Sequence, residues 1–196
     1  MVEVKNPENM DTLDATALVY GMMETAKSIR AQHKYSEDEA MMPVCIIVCP
    51  EQTIIVATLW QTHAEKRAMM KIISNTARIH KARIVGFATD MRTVKSDKLC
   101  SYYNRPAPEL PNMEEFKKWY VQLLDSVGGC VKNLPRELWN EAVMVAAKGP
   151  EIGTMVKLAN YVEGPNDTVL FKADIIDEPG INHQYDLKLL PEWWTQ

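Results

Sequence analysis

The sequence predicts an α+β (mixed α/β) fold, with a mainly antiparallel sheet of five to six strands and helices packed on it. Three observations carry this prediction. Short β-branched, apolar runs recur along the chain. Between them lie segments whose apolar residues repeat every three or four positions, the period of an amphipathic helix. Hairpin-like connections outnumber crossovers, which favours antiparallel pairing. The element order reads α-β-β-α-β-(α)-β-β-β.

The chain has 196 residues, 46% of them hydrophobic and 24% charged. That length suits one domain able to bury a core without a metal or disulfide. The division expected is a flexible arm over residues 1–10, a single α/β domain over 11–190 and a C-terminal tail over 191–196. Residues 1–10 carry Glu3, Lys5 and Glu8, so they lack the apolar stretch of a signal peptide. The longest apolar run, residues 41–49, is interrupted by Pro43 and falls short of the ~20 residues that span a bilayer. Cys45, Cys49, Cys100 and Cys130 form no CxxC pair, so they read as free thiols in a reducing, cytoplasmic setting. Twelve methionines against three phenylalanines point to an adaptable core or contact surface.

The first helix begins near Asp11, a candidate N-cap. Ala15, Leu18, Met22, Ala26 and Ile29 give it one apolar face, and Gly21 within it marks a close approach to another element. Lys27, Arg30, His33 and Lys34 crowd its C-terminal end, where cations suit the helix dipole. Residues 44–49 and 53–60 read as a hairpin buried largely on both faces, with Pro50 starting a type I turn. Thr62-His63-Ala64-Glu65 is a capping box. The helix it opens is expected to bury Met69, Ile72, Ile73, Thr76 and Ile79 and to end near Lys81. Residues 83–88 form a third strand.

After Met91 the periodicity fails for about twenty residues, and loops of that length are usually functional or disordered. Asn112 is expected to cap a further helix with Phe116, Trp119, Tyr120, Leu123 and Leu124 on its apolar side, ended by Gly128-Gly129. Residues 134–148 admit a helix or a strand. The strand is preferred, because residues 142–147 pair naturally with 154–162 across a Gly149–Gly153 hairpin loop. Residues 168–175 add a last strand. At the level of topology this order resembles roadblock/longin, profilin-like and PAS-like sheets over about residues 12–175; no motif accompanies the resemblance, so it implies no function.

The sequence carries few signatures of chemistry. The four histidines are scattered with no HxxxH or HExxH spacing, and Cys45 and Cys49 on one strand would stand ~13 Å apart, too far to share an ion. No metal and no cofactor is expected. There is no GxSxG elbow, no GxxxxGK[ST] and no GxGxxG. The weak catalytic candidates are Asp90, at the end of the third strand, with Arg92, Cys100 and Tyr103 beyond it. Cys100 stands out because Lys95, Lys98 and Arg105 are close in sequence and cations lower a thiol's pKa.

The charge distribution is more informative. The net charge is −4, yet residues 62–105 hold ten Lys and Arg against three acids. On the second helix Lys71, Arg78 and Lys81 fall within about 40° of Arg67 at 100° per residue, a stripe expected opposite the Ile72/Ile79 side. Lys95, Lys98, Tyr102 and Arg105 follow. Cations neutralise phosphates and tyrosines stack on bases. These eight residues are the expected binding set. The preferred reading is a soluble, non-enzymatic binding or assembly module with a basic central surface. Its expected partner is an acidic partner or nucleic acid, not a membrane, and it is a candidate homo-oligomer. The alternative is a small enzyme whose pocket is closed by residues 91–111. The terminal Trp193-Trp194 is expected to dock on the chain itself, since an exposed pair invites aggregation.

Overall fold

The computed structural model describes residues 1–5, 13–34, 41–106, 113–177 and 193–194. It forms two compact units, one of Met1–Asp90 with Val143–Gln196, the other of Met91–Ala142. The strands are β1 (Val2–Lys5), β2 (Val44–Val48), β3 (Gln52–Ala57), β4 (Ile84–Val94), β5 (Trp139–Gly149), β6 (Gly153–Glu163) and β7 (Val169–Asp177). The helices are α1 (Ala15–Ala31), α2 (His63–Ile79), α3 (Ser96–Tyr102) and α4 (Met113–Ser126). The fold is α+β, as expected. The sheet has seven strands in the order β1-β3-β2-β4-β5-β6-β7, rather than five to six. The β1–β3, β3–β2, β2–β4 and β6–β7 pairs are antiparallel.

The extra strand is β1, in the segment expected to be a loose arm. Val2 to Lys5 pair with Ile55 to Gln52 of β3. All four residues are exposed, so the strand is held by its backbone ladder, and four alternating residues are too short a pattern to register as a strand. The rest of the expected arm, residues 6–10, lies outside the described residues, as does Asp11. The helix cap is Asp14, whose Oδ1 accepts from the Ala17 N–H at 2.7 Å.

In the first unit α1 covers one face of the sheet. Leu18, Val19, Met22, Met23 and Ala26 pack with Val44, Ile46, Val48, Ile84, Ala88, Val143, Val145, Ala147 and Ala159. Gly21 is not a point of close approach: a Cβ there would meet nothing within 4 Å. That role belongs to Gly86, where a Cβ would lie 2.7 Å from Met22 Sδ. β2 is buried throughout, while β3 is mostly half-buried. The hairpin turn closes with the Cys49 N–H donating to Gln52 O at 2.9 Å.

The capping box on α2 forms, with Thr62 Oγ1 accepting from Glu65 N at 3.2 Å and Glu65 Oε2 from Thr62 N at 3.0 Å. The rotation of this helix differs from expectation. Its buried residues are Met70, Ile73 and Ala77, while Ile72 and Ile79 are 57% and 71% exposed. Apolar residues at 69, 70, 72, 73, 77 and 79 offer two overlapping stripes, and periodicity alone cannot choose between them.

The second unit contains much of the segment expected as an irregular loop. Its β4 portion, Met91 to Val94, is half-buried, and α3 follows, burying Leu99 and Cys100. Residues 107–112, including Asn112, lie outside the described residues. Leu99, Leu134, Leu138 and Trp139 form a small core against Phe116, Trp119, Tyr120, Leu123 and Leu124 of α4. α4 ends as expected: Gly128 and Gly129 take φ of 86° and 75°, and Gly129 N donates to Leu124 O at 2.7 Å. Residues 136–138 form a 3-10 turn and the chain then enters β5, so the strand reading of this region holds. Trp193 is buried and its indole N–H donates to Ala82 O at 2.9 Å; the tryptophan pair docks on its own chain. No helix of the described residues is long and apolar enough to cross a membrane.

Candidate functional site

The expected binding residues of the first unit sit on and beyond α2. Arg67, Lys71 and Arg78 are exposed on the helix. Lys81 is exposed too, but it follows the helix end in the left-handed region, at φ 51°. The stripe is therefore three helical cations and a fourth carried on the turn. Arg78 Nη2 donates to Asn75 Oδ1 at 3.3 Å along the same helix. Among the described residues none of Arg67, Lys71 and Lys81 forms an ion pair.

The C-terminal end of α2 borders an open recess of about 560 Å³ lined by Cys49, Pro50, Glu51, Gln52, Ile79, His80 and Lys81. Gln52 Nε2 and His80 Nδ1 are 3.2 Å apart. Burial pushes the Cys49 thiol up to about 11, which makes it a poor nucleophile at neutral pH.

Asp90 is occupied structurally. Its Oδ2 lies 3.0 Å from Arg30 Nε and accepts from Met41 N at 2.6 Å. Both charged side chains are nearly inaccessible. Sequence reasoning missed this pair because Arg30 reads as an ordinary dipole-complementing cation at a helix end.

The candidates of the second unit separate into two groups. Tyr103 stacks edge-on against Trp119 at 6.0 Å between centroids, and Arg105 lies over the same ring at 4.7 Å. Tyr102 is exposed and contacts Tyr103 at 5.0 Å. Lys98 is exposed, and Lys95 Nζ donates to Glu137 O at 2.9 Å. Cys100 is buried, and that burial, with Asp97 adding and Arg105 opposing, raises its thiol's pKa. The flanking cations therefore do not activate it.

The other group joins the candidate Arg92 to three residues that were not foreseen, Arg136, Trp139 and Glu141. Arg92 and Arg136 both lie over the Trp139 ring, at 5.3 and 4.0 Å. Each is also 3.9 Å from a carboxylate oxygen of buried Glu141. That separation is too long for a direct hydrogen bond. The only sequence signal was Arg-x-x-Trp-x-Glu at residues 136–141, which has no established meaning. Among the described residues no group of three or more His, Cys, Asp or Glu is placed to hold a metal ion. Compared with protein-family models, curated proteins and solved structures, the chain matches none.

Proposed function

We propose that the protein is a binding or assembly module that docks an acidic partner on the basic outer side of α2. The observation that carries this reading is the exposure of Arg67, Lys71 and Arg78 on α2, and of Lys81 on the turn after it, while Met70, Ile73 and Ala77 of the helix are buried. Among the described residues no carboxylate forms an ion pair with Arg67, Lys71 or Lys81. The excess of positive charge over residues 62–105 in an otherwise acidic chain supports the same reading. The alternative of a small enzyme has less support, since Asp90 is held by Arg30 and Cys100 is buried with a raised pKa.

The test uses two labelled polyanions, a polyglutamate peptide and a single-stranded oligonucleotide. At least one is expected to bind with strong salt dependence. Four cations on a single strand give a log–log slope near −3, so binding weakens roughly fifty-fold between about 50 and about 200 mM salt. The triple variant R67E/K71E/R78E is expected to lose this binding. Failure of the native chain to bind either probe, or undiminished binding by the triple variant, overturns the proposal.

A further inference from the structure

We infer that the outer face of α2 is a helix-docking seam, and that its occupant is an acidic amphipathic helix of another protein. This rests on the reading of α2 as a docking face for an acidic partner and specifies that partner's chemistry. Ala68, Ile72, Asn75 and Ile79 follow one another at steps of four, three and four, the spacing by which one helix lines a seam against a second. At 100° per residue they fall within an arc of about 60°, and that arc lies about 160° from the centre of the buried Met70, Ile73 and Ala77. All four are exposed. The helix thus has two faces at nearly opposite angles, one consumed by the core and one in water. Neighbouring large apolar side chains left in water on one helix face mark a contact surface.

Charge selects the occupant. Lys71 and Arg78 each precede a seam isoleucine by one residue, which sets them along one edge of the seam, where interhelical ion pairs choose partners. The other edge carries Met69 and Thr76, both half-buried and uncharged. A partner that covers the isoleucines must offer apolar residues at the same spacing, with acids along the edge facing Lys71 and Arg78. A second copy of this chain fits poorly. An antiparallel pair of such seams sets Lys71 and Arg78 against their own kind, and a parallel pair faces them with uncharged Met69 and Thr76. A nucleic acid would satisfy the cations but leave Ile72 and Ile79 in water. Asn75, held by Arg78, supplies the polar seam position that fixes register. The seam runs about 17 Å and ends at Ile79, one wall of the recess at the C-terminal end of α2.

The experiment titrates three labelled probes against the native full chain: a synthetic helical peptide of leucines at alternating three- and four-residue steps with glutamates between, a polyglutamate peptide of equal length, and a single-stranded oligonucleotide. The leucine–glutamate peptide is expected to bind roughly tenfold or more tightly than polyglutamate. I72S/I79S, which changes exposed side chains only, should remove that advantage and leave polyglutamate binding unchanged. K71E/R78E should abolish both. If I72S/I79S leaves the advantage intact, or the two peptides bind equally, the seam is refuted while the basic-face reading stands. If no polyanion binds, both fail. Tighter binding of the oligonucleotide than of either peptide overturns the inference in favour of nucleic acid. A native dimer in sedimentation that I72S/I79S converts to monomer overturns it in favour of a second copy.

Discussion

Replacing Asp90 by asparagine keeps the shape of the side chain and removes the negative member of a buried pair. Arg30 is 1% exposed. Its Nε faces Asp90 Oδ2 at 3.0 Å and Tyr161 Oη at 3.4 Å, its Nη1 donates to Lys34 O at 3.3 Å, and its guanidinium lies 5.0 Å from the Tyr161 ring centroid. The same Asp90 oxygen takes the Met41 N–H. The pair therefore ties the end of α1 to β4, to β6 and to the segment that enters β2. Breaking a buried pair strands the surviving charge and costs about 3–5 kcal/mol, a large part of the ~5–15 kcal/mol that holds a domain together. At ~2–4 °C per kcal/mol for a chain of this size, Asp90→Asn should lower Tm by about 6–20 °C. The assay is thermal and urea unfolding of the native chain, D90N, R30M and R30M/D90N. The double variant should recover much of the loss, because removing both charges removes the desolvation cost along with the attraction. A D90N chain within about 1 kcal/mol of the native one, or a double variant no better than the sum of the singles, refutes the structural role and frees Asp90 for chemistry.

Two further outcomes follow from burial and close approach. Gly21→Ala should stabilise by about 0.5–1 kcal/mol, because the site is mid-helix with open space around a new Cβ. Gly149→Ala should destabilise, because its Cβ would lie 2.7 Å from the Arg83 carbonyl oxygen, part of the backbone. Urea midpoints should then rank G21A above native above G149A, and the reverse order contradicts this packing. Among the thiols, Cys45, Cys49 and Cys100 are buried and burial raises the pKa of each. Cys130 is half-buried. Iodoacetamide at neutral pH, followed by peptide mass mapping, should label Cys130 first; early labelling of Cys100 would restore it as a reactive thiol.

The elements that periodicity and caps define well were legible. The capping box at Thr62, the glycine stop at 128–129 and the apolar stripe of α1 are local patterns whose physics involves only a few neighbouring residues. What was not legible depends on distant partners. β1 exists because β3 lies beside it, and nothing in Val2–Lys5 announces that neighbour. Asp90 reads as a functional acid at a strand's end until Arg30, sixty residues away, arrives within 3.0 Å. Likewise Cys100 sits among cations in sequence, yet burial outweighs the influence of Arg105 on its thiol.

The misplaced rotation of α2 has a different cause, and it bears on function. A helix that serves only a core shows one apolar arc, and its period settles which side faces inward. On α2 the apolar residues fill two arcs, so a count of three- and four-residue repeats has two solutions. The structure gives the inner arc to Met70, Ile73 and Ala77 and leaves Ile72 and Ile79 on the outer one. That division of the apolar residues is why the period of the sequence has two solutions. Two exposed isoleucines at a heptad interval beside Lys71 and Arg78 are what the proposed docking face needs. On that proposal the residues that make the periodicity ambiguous are the ones that would define the seam.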